Sequence, residues 1–146
     1  MTQYASKLQV VEGNDVWHTA RVFLPNGESL QVADCATSGT IIAVDIARIT
    51  SAAGNGGGEV RRILDMTDAA QRANYVKDAY EFDYWDGYDD IGYNFVVRVN
   101  SSGTDTAGNA YTFEGGNRYE VSFTVETVSF GTIRWGALVD VTGLRD

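Results

Sequence analysis

The segment from Tyr119 to Val141 constrains the fold more than any other part of the chain. In "YEVSFTV" and the residue after it, Tyr119, Val121, Phe123 and Val125 alternate with Glu120, Ser122, Thr124 and Glu126; in "IRWGALVDV", Trp135, Ala137, Val139 and Val141 fall together in the same way. A period of two with one apolar and one polar face marks a strand half-buried against a core. The "SFG" between the two runs makes a short reversal, so the pair is expected to form an antiparallel hairpin. A single hairpin cannot bury its own apolar face, and the rest of the chain has to supply the opposing layer.

Several other segments offer that layer. "GYNFVVRVN" sets Tyr93, Phe95, Val97 and Val99 on one side, and the turn-rich "SSGTDTAGN" follows it. A short strand "AYTF" and the turn "EGGN" then lead into the hairpin. Toward the N-terminus, "KLQVV", "DVWHTARVFL" and "GTIIAVDIARI" read as strands, and Pro25, Asn26 and Gly27 in "FLPNGESL" each favour a reversal. Short strands separated by glycine-containing turns point to an all-β sandwich or barrel rather than a βαβ fold. The expected interior has Val121, Phe123 and Val125 facing Trp135, Val139 and Phe95.

One segment departs from period two. In "DMTDAAQRANYVKDAY", Met66, Ala69, Ala73, Val76 and Tyr80 recur at helical spacing and Asp68 with Gln71 has the form of a capping box, which predicts one short helix near residues 66–79. Before it, residues 51–59, "SAAGNGGGE", are expected to be an exposed loop, since the glycine run has no side chains to pack. Neither "GK[ST]" nor a helix-opening "GxGxxG" accompanies that run, so it does not read as a phosphate loop.

Charge and composition narrow the function classes. At 146 residues the chain is expected to form a single β-sandwich domain, 1–146. A formal charge of −9, with no Lys/Arg cluster as a local exception, repels nucleic-acid phosphates and anionic lipid, so neither nucleic acid nor membrane is an expected partner. No apolar run reaches the 18 or so residues of a membrane span, and "MTQYASKLQVVEGND" lacks the pattern of a secretory signal. Cys35 is the lone cysteine and reads as a small buried apolar residue. His18, the lone histidine, reads as an exposed or interface strand residue rather than half of a catalytic pair. The carboxylate pair Glu81 and Asp83 has the chemistry of glycoside hydrolysis, but pairs of this kind are common in so acidic a chain. The expectation is no enzyme and no cofactor.

"YEFDYWDGYDDIGYNF" concentrates aromatic rings and carboxylates. Tyr80, Phe82 and Tyr84 alternate with Glu81 and Asp83, as on a strand with its rings inward, before "WDGYDDIG" turns. The Asp and Gly residues of that turn suit loop solvation and capping. The alternative is calcium, for which Asp83, Asp86, Asp89 and Asp90 supply hard oxygen ligands, with Trp85 and Tyr88 stacking on a sugar as in a carbohydrate-binding module. Their spacing does not match an EF-hand loop.

The succession "LPNGESLQVADCATSGTIIAVDIAR", a Gly-rich segment, "WDGYDDIGYNFVVRV" and "YEVSFTVETVSFGTIRWGALVDV" resembles the small immunoglobulin-like modules of tailed-phage virion proteins, which include head-decoration and tail or baseplate attachment domains. That resemblance implies an immunoglobulin-like antiparallel β-sandwich, made in the host cytoplasm, that docks in several copies or as a homo-oligomer onto other virion proteins. The segment at about residues 51–79 is additional to a minimal module of this kind. A docking sandwich needs an apolar surface, for which Tyr4, Trp17, Phe23, Tyr111 and Phe130 are the candidates.

Overall fold

The computed structural model describes residues 4–11, 13–49, 60–83 and 91–143, the first span by its backbone alone. Ten strands are found among the described residues. β1 (Tyr4–Val11), β10 (Gly131–Thr142), β9 (Arg118–Thr127), β3 (Ile42–Arg48) and β4 (Arg61–Met66) form a five-stranded sheet in that order. β2 (Val16–Ala20), β6 (Tyr93–Val99) and β5 (Val76–Glu81) form a three-stranded sheet, and β7 (Ser102–Thr104) pairs with β8 (Ala110–Thr112). The architecture is all-β and sandwich-like, as the alternating pattern requires. β1 alone pairs in parallel, with β10, and every other described pairing is antiparallel. No short turn joins these two terminal strands, so none dictates their relative direction.

The C-terminal hairpin forms as its alternation predicts, with Trp135 opposite Phe123 and Val139 opposite Tyr119. Trp135 is therefore a cross-strand neighbour of Phe123 and not a residue of the opposing layer. Across the interior the contact comes from Phe95 of β6, whose ring meets Trp135 edge-on at 4.8 Å and Phe123 at 6.2 Å. Val121, Phe123, Val125, Phe95 and Val139 are all buried, in one continuous cluster with Leu30, Ile41, Val44 and Val76.

The short helix predicted near 66–79 is present only as a six-residue 3-10 helix, and strands occupy both ends of the predicted span. β4 ends at Met66, a six-residue 3-10 turn spans Ala69–Asn74, and β5 begins at Val76. The helical spacing of apolar residues arose because Met66 and Val76 are the buried ends of two strands flanking the turn. Asp68 does cap it, accepting from the Ala70 N–H at 3.0 Å, whereas the Gln71 side chain accepts from Asn74 instead of closing a capping box. β4 itself lay hidden between the glycine run and that helical spacing.

Where β2 ends at Ala20, a side chain replaces the ladder. Asn94, 1% exposed, accepts from the Val22 N–H at 2.7 Å and donates to the carbonyls of Val22 and Leu30 at 2.9 and 3.1 Å. This anchors a small hairpin, 22–30, in which Phe23 bridges Ser29 and the reversal falls on "LPNG", with Gly27 at φ 91°. Asn94→Leu leaves the Val22 N–H and the Leu30 carbonyl without that partner, and chemical denaturation is expected to register a loss of about 2 kcal/mol. Gly92 is constrained more tightly: its φ is +96°, and a Cβ there would lie 2.3 Å from the Glu81 carbonyl oxygen. Gly92→Ala is expected to destabilise by about 1–3 kcal/mol in the same assay, through strain at the β5–β6 connection.

Candidate functional site

The polar interior is committed to holding the fold. His18 alternates inward with Val16 and Ala20 along β2 and is 2% exposed, so the expectation of an exposed or interface histidine is overturned. Its ring stacks on Phe123 at 4.0 Å with the planes 9° apart, and its Nε2 accepts the indole N–H of Trp135 at 3.0 Å. The acceptor role places the neutral ring's proton on Nδ1. Burial lowers its pKa to about 4, so at neutral pH it is an uncharged core residue with its Nε2 lone pair engaged. The missed signal was the period of two itself, which sets Val16, His18 and Ala20 on one face.

A cleft of about 450 Å³ lies between the lower ends of β3 and β4 and the β7–β8 hairpin, and it gathers Arg48, Arg61, Arg62 and Asp105. Two of its guanidinium groups are engaged in structure. Arg61 Nε donates to Asp105 Oδ2 at 2.8 Å and its Nη2 to the Asn109 and Ala110 carbonyls, while Arg62 pairs with Asp45 at 2.9 Å. Asp105 Oδ1 also accepts from the Ala107 and Asn109 N–H groups, both at 2.9 Å. These hydrogen bonds, that from Asn109 foremost, hold its carboxyl below the usual range. Together with the Thr106 N–H donating to the Arg62 carbonyl at 2.8 Å, this network fastens the β7–β8 hairpin over the outer edge of β4. Cys35 is buried as expected, and desolvation pushes its thiol up to about 11, far from a reactive thiolate.

The residues singled out from the sequence separate. Trp17, Phe23 and Phe130 are exposed, at 40%, 48% and 41%. Trp17 points outward from β2 with the Arg98 guanidinium 5.8 Å from its ring centre. Tyr111 is not available to a partner: it is buried, and its hydroxyl donates to the Asn100 carbonyl at 3.2 Å. A β8 residue whose two strand neighbours are exposed turns its ring inward against Phe113. The side chain of Tyr4 lies outside what is described, as do Trp85, Tyr88, Asp86, Asp89 and Asp90, so the calcium and sugar-stacking readings rest on residues without a described position. Asp83 is described and exposed.

Phe82 corrects the expectation of inward rings on this stretch, being 55% exposed just after β5 ends, and Tyr80 is only half-buried, its hydroxyl sharing a 2.5 Å hydrogen bond with Ser29 Oγ. Ile91, Val128 and Val60 are further exposed apolar residues that sequence reasoning did not select. Among the described residues, no group of three or more His, Cys, Asp or Glu side chains is arranged to hold a metal ion, and no helix is long and apolar enough to cross a membrane. Compared with family models, curated proteins and solved structures, the chain matches none.

Proposed function

We propose that this chain is a non-enzymatic accessory subunit of a phage virion, carried in multiple copies and docking onto capsid or tail proteins through its β-sandwich. The observation that carries the reading is a division of labour between interior and surface. The buried His18, Asn94 and Asp105 are all engaged in hydrogen bonds that hold strands and hairpins together. Meanwhile seven large apolar side chains, four of them aromatic, stand exposed among the described residues. A surface of that kind suits recognition of another protein. The virion as its setting follows the resemblance of the strand and turn pattern to phage immunoglobulin-like modules.

Quantitative mass spectrometry of particles purified from the phage that encodes this sequence tests the reading. The chain is expected as a component present in many copies per particle. Its absence from intact particles removes the reading.

A further inference from the structure

The exposed apolar residues are not spread evenly over the sandwich. Val16, His18 and Val99 face Val121, Phe123, Ala137 and Val139 across the interior, so moving from Val99 to Phe95 on β6 runs alongside moving from Val121 toward Thr127 on β9. One end of the sandwich is therefore where β2 and β5 finish, β6 begins, and β9 turns into β10. The segment after β2 crosses that end. Phe23 bridges Ser29, Asn94 grips Val22 and Leu30, Cys35 bridges Thr127, and the Val128 N–H donates to the Asp34 carbonyl at 3.0 Å. Phe23, Phe82, Ile91, Val128 and Phe130 all belong to this end, five of the seven large apolar residues exposed among those described, with Trp17 and Val60 elsewhere.

Charge at the same end is mainly negative. Apart from Arg134, which is exposed on β10 near the turn, its cations are turned onto backbone carbonyls: Arg21 Nε donates to Gly92, Arg72 Nη1 to Val32 and Cys35, and Lys77 Nζ to Ala73. The carboxylates of Glu28, Asp78 and Asp83 are exposed around them. Two such ends brought together would set carboxylate against carboxylate on chains that each carry −9, which disfavours a second copy as the occupant. We infer that this end of the sandwich, centred on Phe23, Phe82 and Phe130, is the docking surface, and that its partner is a different protein presenting an apolar patch with a basic rim. The inference rests on the docking reading above and adds to it the surface and the chemistry of the partner.

The probe is the phage particle itself, prepared from a strain deleted for this gene, to which purified protein is added and bound chain measured. Wild-type protein is expected to rebind, more weakly as salt rises because the rim charges are screened. Phe23→Ser with Phe130→Ser is expected to weaken rebinding tenfold or more, and so is Glu28→Lys with Asp83→Lys, which alters only exposed carboxylates and leaves the apolar residues in place. Trp17→Ser and Val60→Ser are expected to rebind like wild type. Failure of wild-type protein to rebind defeats the virion reading and this inference with it. Rebinding that both double variants retain leaves the virion reading standing and overturns the surface. Rebinding indifferent to salt overturns the basic rim, and self-association of the free chain that disappears in Phe23→Ser/Phe130→Ser makes a second copy the occupant.

Discussion

Phe123→Ala is expected to lower the free energy of unfolding by about 3–5 kcal/mol, the range for truncating a buried phenylalanine. Phe123 is 1% exposed and touches both layers: His18 stacks on one face at 4.0 Å, Trp135 lies beside it at 5.7 Å, and Phe95 approaches edge-on at 6.2 Å. Removing its ring deletes the contacts to His18, Trp135 and Phe95 at once. The strands that carry them are bound into ladders and cannot collapse into the space, so transfer and cavity costs add. Urea denaturation monitored by tryptophan fluorescence reads the loss. A change below about 1 kcal/mol would mean that the centre of the sandwich lies elsewhere.

Acidification acts on the same cluster. His18 has a folded pKa of about 4 against an ordinary value of 6.5. Because the folded pKa is depressed, the unfolded chain binds the extra proton first as pH falls. Stability is therefore whole above about pH 6.5, declines between 6.5 and 4, and levels off below the folded pKa, a total of about 3 kcal/mol from this residue. Protonation of the folded form would also set an N–H at Nε2 against the Trp135 indole N–H. Asp15 and Asp105, whose carboxyls are held below their ordinary range by backbone and arginine partners, add their losses at lower pH, as it falls toward their folded values. Thermal unfolding across pH 7 to 4 checks the histidine's share. His18→Leu is expected to flatten the slope in that window while starting from a lower stability, since it leaves the Trp135 N–H buried without its acceptor.

Legibility in the sequence followed how cleanly each strand separates its two faces. β9 was readable because Glu120, Ser122, Thr124 and Glu126 alternate with apolar inward residues, and β10 because Trp135, Ala137, Val139 and Val141 fall on one buried face, although Gly136 and Leu138 interrupt its polar side. β6 was found from Tyr93, Phe95, Val97 and Val99, although Asn94 and Val96 on its other face are buried too. Most of β5 was read as the end of a helix and the rings of Tyr80 and Phe82 were expected inward, because only Val76 of its residues is fully buried and nothing in the next four marks a strand; Phe82, just past its far end, belongs to the surface. β4 carries Arg61 and Arg62, whose carboxylate partners Asp105 and Asp45 are far away in sequence, so nothing local marks it as a strand. The proposed docking surface was legible only in part. Phe23 and Phe130 were among the five aromatic candidates, but their placement at one end with Phe82, and the burial of Tyr111, depend on how the hairpins fold over one another. Long-range pairing of that kind leaves no trace in a window of adjacent residues.

Cryo-electron microscopy of the intact phage particle tests the account most directly. The account predicts repeated density for a two-layered β-sandwich that meets its neighbour through the end bearing Phe23, Phe82 and Phe130, against basic side chains of a different subunit. Density in which that end projects into solvent while the cleft around Arg48 and Arg61 makes the attachment would contradict it.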